Sequence, residues 1–185
     1  MSMKRLLFLT GRPGVGKTTV LLNAAEELKA KGYCVGGMIS KEVRREGKRI
    51  GFEIVDFRTG ARGWLARIEQ CTGPQVGKYR VNLSDLDSIG ANAVFDASKS
   101  ADVVIIDEVG PMELFSQAFR EAVNEALGSR KLVLAVIHQS ARDPIIESIK
   151  KRDDVFLATV GFANRKDLHN VLIQNALQYL QEGKR

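Results

Sequence analysis

Cysteine is scarce in this chain of 185 residues: Cys34 and Cys71 stand apart, in no C-x-x-C pair and with no histidine at metal-ligand spacing. Both therefore read as reduced thiols, which excludes a disulfide scaffold and a cysteine-held structural metal. No apolar run approaches the roughly 20 residues a bilayer-spanning helix needs. The amino end passes from Lys4-Arg5 straight into an apolar segment with no small-residue cleavage site, so the cytoplasm is the expected compartment and no membrane partner is expected. There is no internal repeat and no low-complexity tract. Helix-turn-helix, aromatic RNP-type strand and zinc-knuckle patterns are also missing.

What is present is ordinary globular material, 44% hydrophobic and 27% charged. The length suits one domain over 1–185. The net charge of +6 suits nucleic acid, but it equally suits a site for a highly anionic nucleotide. Its densest stretch, Lys41 to Arg49, is diluted by Glu42 and Glu46 and reads as a solvated hairpin. Nucleic acid thus stays open without a motif behind it, and nothing sets an oligomeric state.

The most informative segment is Gly11-Arg12-Pro13-Gly14-Val15-Gly16-Lys17-Thr18, which fits G-x-x-x-x-G-K-[ST] at every fixed position. Before it, Arg5 to Thr10 is nearly all apolar, as a strand covered on both faces would be. After it, Val20, Leu21, Ala24, Ala25 and Leu28 recur at helical spacing until Gly32. Strand, glycine loop and helix in that order let backbone N–H groups converge on a polyphosphate at a helix N-terminus. Lys17 is the candidate for the β- and γ-phosphates, and the Thr18 hydroxyl for Mg²⁺. Thr19 follows in the first helical turn as a further nucleotide contact. Arg12 either adds charge to the site or faces solvent.

Farther along, strands are expected over Tyr33 to Ser40, Glu53 to Phe57, Ala61 to Ile68 and Lys78 to Val81, with a turn at Arg44 to Lys48. This segment, 33–81, lacks strand-helix alternation and reads as a β-rich insertion at one edge of the sheet. Alternation then resumes. Helices are expected over Asn82 to Ser100 with Ser84 as N-cap, Ser116 to Leu127, Asp143-Pro144 to Lys151, and Arg165 to Gln181. Strands are expected over Ala101 to Asp107, Lys131 to His138 and Asp154 to Val160. The expected fold is α/β: three layers with a mainly parallel central sheet.

Val103 to Asp107 is an apolar strand that ends in a carboxylate, and Glu108 follows at once. Asp107 is the candidate to hold Mg²⁺ through its water shell, and Glu108 the candidate general base. Glu113 either supports the metal or the water, or is an exposed first-turn residue of a helix. His138 and Gln139 end a strand expected between the other two. There they either sense the γ-phosphate or, for His138, satisfy the backbone. Asn164 and Arg165, after the last strand, either contact the base or, for Asn164, cap the last helix.

Three other classes share parts of this pattern. Asp107-Glu-Val-Gly110 satisfies the D-x-x-G of GTP switches, and Asn164-Arg-Lys-Asp167 is one residue from N-K-x-D. A small-molecule or nucleotide kinase would use the arginines of 33–81 as a lid. A nucleic-acid-associated ATPase would grip phosphates with the basic hairpin.

Leu9 to Thr18, Gly36 to Ser40, Ile106 to Leu114 and Asn164-Arg165 together resemble the small nucleoside-triphosphatases first recognised in thermophiles, a family with a human cancer-related member. The run Asp107-Glu-Val-Gly-Pro-Met-Glu113 is the most specific part of the likeness. The resemblance implies a RecA-like P-loop core and slow, Mg²⁺-dependent hydrolysis of nucleoside triphosphates with little base selectivity. It also implies that Gly11 to Thr18 bind nucleotide, that Asp107 serves the magnesium and that Glu108 is catalytic.

Overall fold

The computed structural model describes residues 4–182, so the ends of the 1–185 reading, 1–3 and 183–185, lie outside the described residues. Leu6–Thr10 (β1) is buried along its whole length and leads through the glycine loop into Lys17–Ala30 (α1). Val35–Arg45 (β2) and Lys48–Asp56 (β3) form a long hairpin, followed by Arg62–Arg67 (β4), Gln75–Val76 (β5) and Tyr79–Val81 (β6). Leu83–Asp85 (α2) runs through a π-helical stretch, Leu86–Ala91, into Asn92–Ser100 (α3). Then come Val103–Val109 (β7), a 3₁₀ turn at Glu113–Phe115, Gln117–Gly128 (α4) and Leu132–Ile137 (β8). Pro144–Lys150 (α5), Val155–Thr159 (β9) and Arg165–Glu182 (α6) complete the order.

The nine strands of the described residues join one sheet in the order β5-β6-β4-β3-β2-β7-β8-β1-β9. The five from β2 to β9 pair in parallel, and those beyond β2 pair antiparallel. The sheet is therefore mixed, where a mainly parallel one was expected. The expected boundary at residue 33 also falls inside the parallel core. β2 belongs to both halves, since Val35 to Met38 pair with β7 and Met38 to Arg45 pair with β3.

Helices cover both faces of the core. On one side α3, α4 and α5 bury Val94, Phe119, Val123 and Ile146 against Phe8, Ile106 and Ala135. On the other, α1 and α6 bury Leu21, Ala24, Leu28, Leu172 and Ala176 against Leu7, Ile105 and Leu134. Truncating a fully enclosed ring such as Phe8 or Phe119 to alanine would cost about 3–5 kcal/mol, transfer and cavity terms together.

Several boundaries differ from expectation, each for a local reason. The hairpin turn is Glu46-Gly47, both at positive φ (50° and 74°), the two-residue geometry that follows the strands' own twist. The charged residues on either side therefore stay in strand, and the turn is not Arg44 to Lys48. Ser84 is not the N-cap of its helix. Asn82, in extended conformation, accepts from the Asp85 N–H at 3.2 Å. β7 continues two residues past Asp107, which carries Glu108 inside the strand. Ser116 caps α4 by accepting from the Phe119 N–H at 2.9 Å, and its own hydroxyl donates to the Asp87 carboxylate.

Candidate active site

The glycine loop takes its shape because Gly11, Gly14 and Gly16, all at positive φ, lack a Cβ. At Gly11 (φ 145°) a Cβ would sit 2.6 Å from the Val160 carbonyl oxygen, where β1 and β9 lie side by side. Gly16 (φ 101°) is left-handed and starts α1. Val15 is buried as the loop's anchor, whereas Arg12, Pro13, Gly14 and Thr19 are exposed. The Lys17 ammonium lies across the loop, donating to the carbonyl oxygens of Gly11 at 2.9 Å and Arg12 at 3.1 Å.

β7 meets the loop at the carboxyl end of the sheet. The Thr18 hydroxyl donates to Asp107 at 2.7 Å across 89 residues of sequence. Asp107 also accepts from the backbone N–H and the hydroxyl of Ser40, each at 3.0 Å. Ser40 had no assigned role in the sequence. The available signal was a polar residue closing the buried run Val35 to Ile39.

Burial pushes the Asp107 carboxyl above its ordinary range, while the bonds from Thr18 and Ser40 and the charge of Lys17 pull the other way. Glu108 is raised as well, chiefly by burial, with His138 and Lys17 lowering it and Asp107 raising it. Glu113 is buried, not the exposed first-turn residue of one sequence reading. Desolvation, with repulsion from Glu108, lifts its carboxyl to about 8, so it is neutral at pH 7. Gly110 separates these two side chains: a Cβ there would come within 3.1 Å of both Glu108 Cγ and Glu113 Oε2.

β8 lies between β1 and β7, as expected. At its end His138 Nδ1 accepts from the backbone N–H groups of Ser140 (3.3 Å) and Ala141 (3.0 Å), which places the ring proton on Nε2. Gln139 is exposed. After β9, the Asn164 side chain accepts from Gly161 N–H at 2.8 Å and donates to the Thr159 carbonyl at 3.0 Å, so it closes its own turn. Arg165 reaches the loop, its guanidinium 3.7 Å from where a Gly16 Cβ would be. It also lies 5.8 Å from the centroid of the exposed Phe162 ring.

Between α1 and α6 runs an open cleft of about 470 Å³, bordered by Gly16, Thr19, Asn23, Arg165, His169 and Asn170. His169 Nε2 pairs with Glu27 at 2.9 Å. Asn23, His169 and Asn170 gave no sequence signal, because on a helix surface they look like ordinary solvated residues.

A divalent ion fits the donor chemistry at the Thr18–Asp107 junction. The Thr18 hydroxyl and the Asp107 carboxylate are hard oxygen donors held together, with Ser40 behind them. The described residues contain no group of three His, Cys, Asp or Glu able to cage a metal, so remaining ligands would be phosphate oxygens and water. No described helix is long and apolar enough to cross a membrane.

Known proteins are similar to this chain over most of its length. A sequence model of the family described as NTPase matches residues 6–173. Nucleoside-triphosphatase THEP1 of Thermofilum pendens is 47% identical over 166 residues, 89% of this chain and 91% of that protein. The Methanosarcina acetivorans protein of the same name is 47% identical over 93% of this chain and 97% of its own. Among solved structures, THEP1 of Aquifex aeolicus superposes with a TM-score of 0.81 at 29% identity, covering 91% of this chain and 96% of that one. A human cancer-related nucleoside triphosphatase gives a TM-score of 0.78 at 37% identity over 92% and 96%. A mixed α/β sheet, a glycine loop joined to an acidic strand end and this breadth of likeness have one reading: the chain belongs to the NTPase family, among relatives named nucleoside-triphosphatase THEP1.

Proposed function

We propose that this chain hydrolyses nucleoside triphosphates to diphosphate and phosphate, with Mg²⁺ as the divalent ion and little selection of base. On this reading one RecA-like domain carries the reaction, with the antiparallel strands as its edge insertion. The observation that carries it is the 2.7 Å bond from Thr18 to Asp107, which joins the glycine loop to the strand end that bears Glu108.

The loop N–H groups of Gly11 to Thr18 orient the β- and γ-phosphates. Lys17, already lying over the loop, offsets their negative charge. When bound, Mg²⁺ adds positive charge on the same oxygens, with Thr18 and Asp107 as its protein-side partners, Asp107 through water. Glu108 orients a water molecule and takes its proton. The water oxygen bonds to the γ-phosphorus as the bond to the β–γ bridging oxygen breaks, and the diphosphate leaves. Low base selectivity accords with Asn164 spending its amide on Thr159 and Gly161, which leaves Arg165 to stack on a base without reading its edges. The same bonds weaken a GTP-switch reading, and among the described residues no strand follows β9 to carry a second guanine contact. A kinase lid is disfavoured because the expected lid arginines sit on hydrogen-bonded strands of the main sheet or on the turns between them.

Phosphate release with Mg²⁺ and each nucleoside triphosphate tests this. Lys17→Ala abolishes turnover and weakens binding, while Glu108→Gln keeps affinity and lowers kcat about 100-fold or more. Undiminished turnover in Glu108→Gln would remove the glutamate from the mechanism.

A further inference from the structure

Residues 41–80 hold ten of the 28 Lys and Arg but five of the 22 Asp and Glu, so this one stretch supplies +5 of the net +6. The strand register shows where part of that charge lies. Gly51, Glu53 and Val55 alternate onto one face of β3, and their partners Arg67, Trp64 and Arg62 on β4 share that face. Arg80 of β6 joins them through its pairing with Arg67.

The opposite face, with Phe52, Ile54, Ala66 and Val81, is packed with Leu86 and Ile89 of the π-helical stretch. The arginine face keeps Arg62 exposed and Trp64, Arg67 and Arg80 half-buried. Trp64 is the sole tryptophan of the chain, and the Arg67 guanidinium lies over its ring at 5.4 Å from the centroid.

Two further details point to an anion. Like charges stand directly opposite at Arg44–Arg49, Arg45–Lys48 and Arg67–Arg80, an arrangement that destabilises a sheet by itself. Glu42 relieves the first pair and Glu69 pairs with Arg45. Arg67 and Arg80 have only Gln70 and the Gly73 carbonyl, with no carboxylate of the described residues paired to either.

We propose that this face, built from Arg62, Trp64, Arg67 and Arg80, binds single-stranded nucleic acid, with the arginines on phosphates and an unpaired base stacked on the Trp64–Arg67 platform. A flat, sequence-tolerant combination of arginine and one aromatic ring on an open sheet is the chemistry by which single strands are held. A duplex conceals the ring faces that Trp64 would meet.

Intrinsic fluorescence tests it directly, since Trp64 is the one tryptophan. The full chain is titrated with a 5′-hydroxyl uridine oligomer of about 12 nucleotides. The same length of duplex RNA, polyphosphate of matched charge and phosphatidylserine vesicles are run in parallel. Saturable quenching by the oligomer is expected, with affinity falling with salt at a log–log slope of about −0.7 per phosphate engaged.

Arg67→Ala with Arg80→Ala weakens binding about tenfold and flattens the slope by about 1 to 2, with phosphate release from nucleotide unchanged. Trp64→Ala, followed by anisotropy of a labelled oligomer, weakens RNA binding about 5- to 100-fold but leaves polyphosphate binding as it was. No fluorescence change at low salt overturns the proposal. So does polyphosphate binding as tight as RNA binding, or tighter binding to duplex or vesicles. The primary readout is on the unmodified chain, so a variant that misfolds leaves the test intact. The outcome is also independent of the hydrolysis readout.

Discussion

Glu113 buries a carboxyl in the protein interior, and the consequence is a pH-dependent stability. The group titrates near 4.5 when solvated and at about 8 in the fold. Across that interval the unfolded chain gives up a proton that the folded chain keeps, so stability falls as pH rises from about 4.5 and levels off above about 8. At pH 7 the cost is about 3 kcal/mol. Glu113→Gln abolishes it. Guanidinium unfolding of both proteins between pH 5 and 8 should show the wild type losing ground to the variant as pH rises, and parallel curves would refute the assignment. Next to it, Gly110 borders the side chains of two acids, Glu108 and Glu113. Gly110→Ala inserts a methyl 3.1 Å from each. Displacing Glu108 by a fraction of an ångström should lower kcat about 10-fold or more with nucleotide affinity unchanged, which steady-state kinetics beside equilibrium binding will show.

At the level of elements, the ends of helices are where side-chain chemistry sets geometry. Ser116 is buried, caps α4 and ties it to Asp87 within the π-helical stretch. Ser116→Ala should destabilise the protein by about 1–2 kcal/mol, read as a lower denaturant midpoint at constant slope. The helix is legible in the sequence from its apolar period, although Ser116 reads there as its first residue and not as its cap. The cap at Asn82 was not legible either, since Ser84 stood two residues later as an equally good candidate. The glycine loop and the Asp107–Glu108 strand end were legible because each is a local pattern with fixed spacing. Ser40 was not, because its role is a contact across β2 and β7, set by strand order. Nor was the depth of Glu113, whose burial comes from packing around a 3₁₀ turn that no periodicity announces. The full length of the hairpin is not legible in the sequence because its outer residues are charged. There the two positive φ angles at Glu46-Gly47 hold the register that burial does not.

For the molecule as a whole, the sheet is graded from a dry centre to a wet margin. β1 and β8 are buried at every residue, and β7 at all but one, while the outer half of β2 and the start of β3 are exposed. Hydrogen exchange should follow that grading. Amides of β1, β7 and β8 exchange only through global opening, and those of 41–49 exchange through small local openings at a fraction of that free energy. Equal protection across the sheet would contradict the division. The parallel part and the antiparallel part meet in β2 alone. That strand is eleven residues of one continuous ribbon, about 37 Å from end to end, with Ser40 partway along and its grip on Asp107 fixed there. A ribbon of this kind has no joint except the irregularity at Val43/Arg44. A pull on its outer tip is therefore shared among the ladder to β3, that irregularity and the aspartate.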